Sequence, residues 1–324
     1  MKSPAIVFLG TPEFAVASLG SLLMNGYNVV SVVTAPDKPA GRGMVVSKSP
    51  VKKFAESHYL SVLQPEDLKS PVFIERLRRL NADIFVVVGF RMLPEELWKI
   101  PSKATFNLHA SLLPQYRGAA PINRVIINGE TITGVTTFLI DEKIDTGNIL
   151  FREEVPVFPF ENAGDLHDKL MKHGARLVIR TIDEIVGNRV RPRSQSEFML
   201  PGEILKPAPK IFPKDCIIDW ENEPVSIHNL IRGLAPSPGA RSSLSNGQQT
   251  LTYKIFESAA ETAVHEYKPG QVISDGKSYL KVACRGGFVK ILNLQLEGKT
   301  RMESEEFLRG FRIADYSGYI SSGA

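Results

Sequence analysis

Five prolines, Pro192, Pro201, Pro207, Pro209 and Pro213, fall within 22 residues of this chain. No regular helix or central strand survives that density. Proline fixes φ at about −65°, has no backbone N–H to donate, and pushes the residue before it out of the helical region. Any core that forms before this segment therefore forms separately from any core that forms after it. With 324 residues in all, each side is long enough to bury a core of its own.

The two sides differ in texture. Before the prolines, apolar runs at 5–9, 28–35, 83–88, 104–108 and 135–140 alternate with stretches of helical spacing at 13–25, 72–80 and 163–186. This alternation predicts an α/β fold: a Rossmann-like, mostly parallel sheet with helices on both faces, which takes ligands at the carboxyl ends of its strands. After the prolines, short β-like runs at 249–256, 270–273, 279–284 and 287–294 are divided by turn residues. That pattern predicts a smaller, OB-like β-barrel as the C-terminal domain. The expected division is 1–188 for the first domain, 189–208 for a basic, Pro-rich linker and 209–324 for the second domain.

Formal net charge is +4, but it is unevenly spread: 34–53 and 189–214 each carry +4, which leaves the remainder at −4. Basic segments on an acidic body suit a polyanionic partner, because lysine and arginine displace phosphate counterions, and they equally suit solvated loops. Cys216 and Cys284 stand 68 positions apart with no Cys/His cluster around them. A disulfide framework and a zinc ribbon are thereby excluded, and a reducing, cytoplasmic setting fits. The first long apolar run, 5–9, is too short for a signal-peptide core or a membrane span, so no membrane partner is expected.

Three short motifs carry chemistry. Gly10-Thr11-Pro12-Glu13 stands where a Rossmann fold puts its phosphate loop, yet it lacks the G-x-G-x-x-G spacing. A tight strand-to-helix turn explains it, with Pro12 preorganising the first helical turn. Asn107 and His109 are two apart at the end of an extended run, so both side chains project to one side of the sheet and Leu108 projects to the other. The apolar-in-polar loop at 111–118 follows directly, a composition suited to a flat aromatic ligand. Asp145-Thr146-Gly147 forms a turn after the run 135–140. If the two runs are neighbouring strands, Asp145 can orient the imidazole or accept a proton from an incoming nucleophile; an ordinary Asx turn is the alternative.

These residues resemble a known family. FLGTPEFA at 8–15, APDKPAGRG at 35–43, NLHASLLPQYRGAAPI at 107–122 and IDTGNIL at 144–150 are similar to the folate-dependent formyltransferases over 5–186. With APKI at 208–211, IDW at 218–220 and LIRGLAPSPGA at 230–240, the resemblance extends to the methionyl-tRNA formyltransferases along essentially the whole chain. The resemblance implies formyl transfer from 10-formyltetrahydrofolate to the α-amino group of methionyl initiator tRNA, without a metal. It places Asn107, His109 and Asp145 on the catalytic positions. Ser111, Leu112, Leu113 and Pro114 fall on the folate-binding segment, and Phe90, Arg91, Met92 and Leu93 on a second loop against the pterin. It also implies that 37–50 is an arm reaching the tRNA acceptor end, with Lys38, Arg42 and Lys48 on it, and that Lys206 in the linker and Lys210 at the start of the second domain touch tRNA. One departure is Lys143, a cation two positions before Asp145 where the family has a small or neutral residue; it is expected to face solvent.

Other readings are weaker. A formyltransferase for an aminosugar or purine precursor would keep the Asn, His and Asp but has no use for the Arg42 arm or the second domain. A dinucleotide-dependent oxidoreductase needs the glycine fingerprint that is absent. A noncatalytic tRNA-binding module needs no convergent Asn, His and Asp. A cytoplasmic monomer is expected.

Overall fold

A computed structural model of the chain describes residues 3–40, 45–313 and 316. The chain forms two compact units, one made of Met1–Pro121, Ile132–Pro156 and His167–Ala208, the other of Ile122–Thr131, Val157–Leu166 and Pro209–Ala324. The second unit thus takes in 122–131 and 157–166, which lie within the sequence division 1–188.

Along the chain the first part runs β1 (Ala5–Gly10), α1 (Glu13–Met24), β2 (Asn28–Val33), β3 (Lys38–Ala40), β4 (Val45–Ser47), α2 (Pro50–Ser57), β5 (Val62–Leu63), α3 (Pro71–Arg78), β6 (Ile84–Val88), α4 (Glu95–Trp98), β7 (Ala104–His109), α5 (Pro121–Ile127), β8 (Ile132–Leu139), β9 (Ile149–Pro156) and α6 (Ala163–Val186). Its sheet has the order β5-β2-β1-β6-β7-β8-β9. The first five strands pair in parallel, while β7 with β8 and β8 with β9 are antiparallel. All five residues of β6 are buried, as a strand covered on both faces must be. In α6, Leu166, Leu170, Leu177 and Ile182 are buried. A Cβ on Gly174 of α6 would lie 2.7 Å from Leu108 Cδ2, so this helix presses on the Leu108 side of β7 and leaves the Asn107 and His109 side for the site. The helix bounds match the sequence expectation of 163–186, because a long amphipathic stripe is a local signal. The edge strand β9 was not expected: FREE at its centre lacks the apolar run that marks a buried strand.

The second unit contains α7 (Pro224–Leu234), β10 (Ala240–Ser245), β11 (Thr250–Thr262), β12 (Val272–Ser274), β13 (Leu280–Cys284), β14 (Gly287–Leu296), β15 (Met302–Glu303) and α8 (Ser304–Gly310). Its strands are antiparallel in the order β10-β11-β14-β13-β12, with β15 on β14. Register shifts between Ile255 and Ser258 bend the long strand β11, the device by which a small antiparallel sheet curls over its own core. Trp220, Ile227, Ile231, Tyr253, Val289 and Ile291 belong to that core. Trp220 is 1% exposed, and its Nε1 donates to Ser242 Oγ at 3.1 Å, so the indole is buried without stranding its polar atom. Both α5 and α7 open on a proline, the signal from which they could have been expected.

Candidate active site

Strand β7 delivers two of the three candidate catalytic side chains. Asn107 lies opposite Phe138 and His109 opposite Thr136 across the antiparallel ladder to β8. His109 is 7% exposed. Its Nε2 donates to the Tyr116 carbonyl at 2.8 Å, which fixes that proton and leaves Nδ1 as the nitrogen able to meet a substrate. Nδ1 faces Asp145 Oδ2 at 3.8 Å, beyond hydrogen-bond range. Buried Asn107 Oδ1 has no hydrogen-bond partner among the described residues. Nearby polar atoms are satisfied: Ser111 Oγ donates to Gln115 O (2.7 Å), and Thr136 Oγ1 donates to Ser111 O (2.7 Å). An orphaned carboxamide oxygen in an otherwise paired neighbourhood suits a polar ligand.

Strand adjacency alone does not bring in Asp145. Because β8 runs antiparallel to β7, its last residue, Leu139, lies beside Phe106 rather than beside His109. The following loop has to fold back, and it does so with Asp145 in the left-handed region at φ 56°. A carboxylate side chain tolerates that conformation at a cost on the order of 1 kcal/mol. Asp145 Oδ2 accepts the Gly118 N–H at 2.9 Å. Thr146 Oγ1 donates to Asp141 Oδ1 at 2.7 Å, and Lys143 is exposed, as expected. Gly147 admits no side chain, since a Cβ there would fall 1.7 Å from Leu139 O.

Sequence reasoning missed Gln195. It is 4% exposed at the start of a 3-10 turn, Gln195–Phe198. Its Nε2 donates to the carbonyls of Asp145 and Gly147, both at 2.9 Å, and its Oε1 accepts from Arg117 Nε at 3.0 Å and Nη2 at 2.6 Å. A lone glutamine in a Pro-rich stretch gives no sequence signal. The expected linker is likewise well engaged: Tyr116 N donates to Lys206 O (2.7 Å), Ala208 N to Arg117 O (2.8 Å) and Lys206 N to Gln115 Oε1 (2.8 Å).

The expected folate segment divides into two kinds of residue. Ser111 and Leu113 are fully buried and Pro114 is buried, with Leu113 packed on Phe138 and Ile149. Leu112 is partly exposed, and is the leucine of this loop with surface to offer. At the end of β6, next to β7, Leu93 is buried while Arg91 and Met92 are exposed. Arg91 Nη1 donates to Glu66 O at 2.8 Å. Residues Arg91, Met92 and Leu93 line an open cavity of about 510 Å³ whose wall also carries Trp98 and the carboxylates of Glu66, Asp67, Glu95, Glu96 and Glu142.

Of the expected tRNA contacts, Arg42 lies outside the described residues. Flanking strands β3 and β4 pair as a ribbon of their own. Its base is pinned through Asp37, which accepts from Lys52 Nζ (2.5 Å) and Gln64 Nε2 (2.8 Å). The Lys52 ammonium first, then the Gln64 amide, hold this carboxyl below the usual carboxylate range. Lys38 is exposed, whereas Lys48 is paired with Glu56 at 2.7 Å. In the first unit Lys206 is exposed; in the second, exposed Lys210 places its Nζ 5.8 Å from the Phe212 ring centre. Among the described residues no helix is long and apolar enough to cross a membrane, and no three His, Cys, Asp or Glu residues group as a metal site.

Solved structures of other proteins share the fold. HypX from Aquifex aeolicus, in complex with tetrahydrofolic acid, matches at TM-score 0.63 and 18% identity over 98% of this chain; the chain spans 51% of HypX. An N-formyltransferase from Helicobacter canadensis, in complex with folinic acid and dTDP-3-aminofucose, matches at 0.61 and 23% identity over 88% of this chain and 97% of that one. At these identities the likeness concerns the fold. Sequence profiles go further: the profile for formyl transferase matches 4–182 and that for the formyl transferase C-terminal domain matches 210–312. Methionyl-tRNA formyltransferase of Bacteroides fragilis is 51% identical over 312 residues, 96% of each chain. The chain belongs to the formyl transferase family, among its methionyl-tRNA formyltransferases.

Proposed function

We propose that this protein transfers the formyl group of 10-formyltetrahydrofolate to the α-amino group of methionine on initiator tRNA, giving formylmethionyl-tRNA for translation initiation. The observation that carries the chemistry is the meeting of His109, Asp145 and the Gly118 amide beside the unpaired Asn107 oxygen. Full-length relatives of 51% and 50% identity, both methionyl-tRNA formyltransferases, support the choice of acceptor.

Bound 10-formyltetrahydrofolate supplies a formyl carbon already joined to a nitrogen that can leave. Ser111, Leu112, Leu113 and Pro114 on one side, and Phe90, Arg91, Met92 and Leu93 on the other, are the residues assigned to hold it. As the α-amino nitrogen bonds to the formyl carbon and the bond to the folate nitrogen breaks, negative charge grows on the formyl oxygen. Asn107 Nδ2–H and a protonated His109 Nδ1 donate to that oxygen, and Asn107 Oδ1 accepts an N–H of the attacking amine. Asp145 Oδ2 is occupied by the Gly118 amide, so Oδ1 is the oxygen assigned to the proton that the amine loses and the folate nitrogen regains. Attack is direct, with no acyl-enzyme.

The test of the function is formyl transfer from 10-formyltetrahydrofolate to charged initiator tRNA, with charged elongator tRNA as control; no transfer to the initiator refutes it. Within that assay, Asn107→Ala and His109→Ala should each lower kcat by about 10²-fold, with affinities for folate and tRNA little changed, because both act on charge that develops in the transition state. Wild-type kcat in either variant removes its assigned role.

Residues 1–188 are taken as the catalytic domain, 189–208 as a basic linker and 209–324 as the tRNA-binding domain of a cytoplasmic monomer. Two buried free thiols, Cys216 and Cys284, suit that compartment. Lys38, Arg42 and Lys48 are assigned to the acceptor end of the tRNA, and Lys206 and Lys210 to its phosphates. Arg42→Ala should then cut transfer to initiator tRNA and leave folate binding intact. Neutralising Lys206 and Lys210 should weaken all tRNAs alike and reduce the slope of log affinity against log salt by roughly 0.7 to 0.9 per lost contact. An unchanged slope would remove both lysines from the RNA surface.

A further inference from the structure

We infer that Gln195 is the positioning residue for Asp145, so that the segment between the two formyl transferase profiles completes the catalytic site. The inference rests on Asp145 acting as the proton acceptor proposed above. Gln195 lies beyond 182, where the first profile ends, and before 210, where the second begins.

The geometry is a closed ring of contacts. Gln195 Nε2 holds the carbonyls of Asp145 and Gly147, so it fixes the 145–146 and 147–148 peptide planes of the loop. Its Oε1 holds Arg117, whose neighbour Gly118 donates to Asp145 Oδ2. One carboxamide therefore grips the two chain segments at either end of the Asp145–Gly118 hydrogen bond. Both its donors and both its acceptor positions are used, which leaves it no alternative orientation. Asp145 is in the left-handed region, and holding its carbonyl sets the direction in which its side chain leaves the loop.

Gln195 is itself held from both sides. Arg193 exchanges two backbone hydrogen bonds with Ile149 at 2.8 and 2.9 Å, extending the first-unit sheet by one bridge at the start of β9. Ser194 caps the turn that begins at Gln195, with Glu197 Oε1 accepting the Ser194 N–H at 2.8 Å. Further along, Ala208 bridges to Gly118, where a Cβ would fall 2.4 Å from Ala208 O. The segment thus supports the 117–118 side of the ring as well as the 145–147 side.

The test uses Gln195→Glu and Gln195→Leu in the full-length enzyme. The glutamate keeps the size and the acceptors for Arg117 but cannot donate to two carbonyls; the leucine removes both. If Gln195 positions Asp145, both variants should lose roughly 10- to 100-fold in kcat, with KM for folate and tRNA within about 3-fold, because misplacing a reacting group by about an ångström is felt in the chemical step. Amide hydrogen exchange across 141–148 should accelerate in both. Assays run well below each variant's melting temperature separate this from simple destabilisation. A folded variant of either kind with wild-type kcat, or with KM raised and kcat unchanged, overturns the proposal. Should the leucine variant not fold, the glutamate variant decides alone. Asp145→Asn, measured in parallel, separates the two failures: if it is fully active, the catalytic reading of Asp145 is wrong, and if it is inactive while Gln195→Glu is normal, only the positioning role is wrong.

Discussion

Asp145→Asn is expected to lower formyl transfer to charged initiator tRNA by about 10³-fold while the protein keeps its folate affinity and its melting temperature. The amide has the same shape, and its oxygen can still accept the Gly118 N–H that Oδ2 accepts now. What it loses is the negative charge opposite His109 Nδ1 and the ability to take a proton, a contribution worth about 10² to 10⁴ in rate for a positioned base. Single-turnover kinetics are the decisive measurement, since slow release of formylated tRNA would mask a change in the chemical step. Retention of wild-type single-turnover rates would reduce Asp145 to a turn residue.

Gly147→Ala should act on structure and chemistry together. Its Cβ would stand 1.7 Å from Leu139 O and 2.8 Å from Leu139 C. Those atoms cannot give way cheaply, because Leu139 N donates to Asn148 O at 2.9 Å where β8 and β9 meet. Separating the strands there also withdraws the Gly147 carbonyl from Gln195. We expect destabilisation of about 2 to 4 kcal/mol, read as a lower denaturant midpoint, and at least 10²-fold lower kcat in the protein that remains folded. Gly310→Ala is the control: nothing lies within 4 Å of a Cβ there, so both readings should stay near wild type. Stability within 0.5 kcal/mol of wild type (about the spread of neutral surface changes) would mean that the 139–148 loop can open without loss.

Local rules account for much of what the sequence made visible. Apolar runs marked β1, β2, β6 and β7, a helical stripe delimited α6, and the two-residue period put Asn107 and His109 on one side of a strand. Each depends on sterics and periodicity within a few residues, so no knowledge of distant partners is required. Motif identity extended this to the family and the chemistry. Two domains were legible too; the structure adds that 122–131 and 157–166 join the second unit, where they find partners, as when Asn123 Nδ2 donates to Gly233 O at 2.8 Å.

Tertiary structure decided the rest of the site. An antiparallel β8 carries the chain away from His109, and a left-handed Asp145 with a side-chain-free Gly147 brings it back. In the loop after β7, Leu113 is spent on the core with Phe138 and Ile149 while Leu112 keeps exposed surface, a distinction that two adjacent leucines do not carry in their letters. The Pro-rich segment, whose composition suggested a spacer, places Gln195 against Asp145 fifty residues earlier in the chain. Proline density determines that such a segment is neither helix nor central strand; where it lies is set by backbone groups that must find hydrogen-bond partners once buried, and those partners exist only after the sheet has formed.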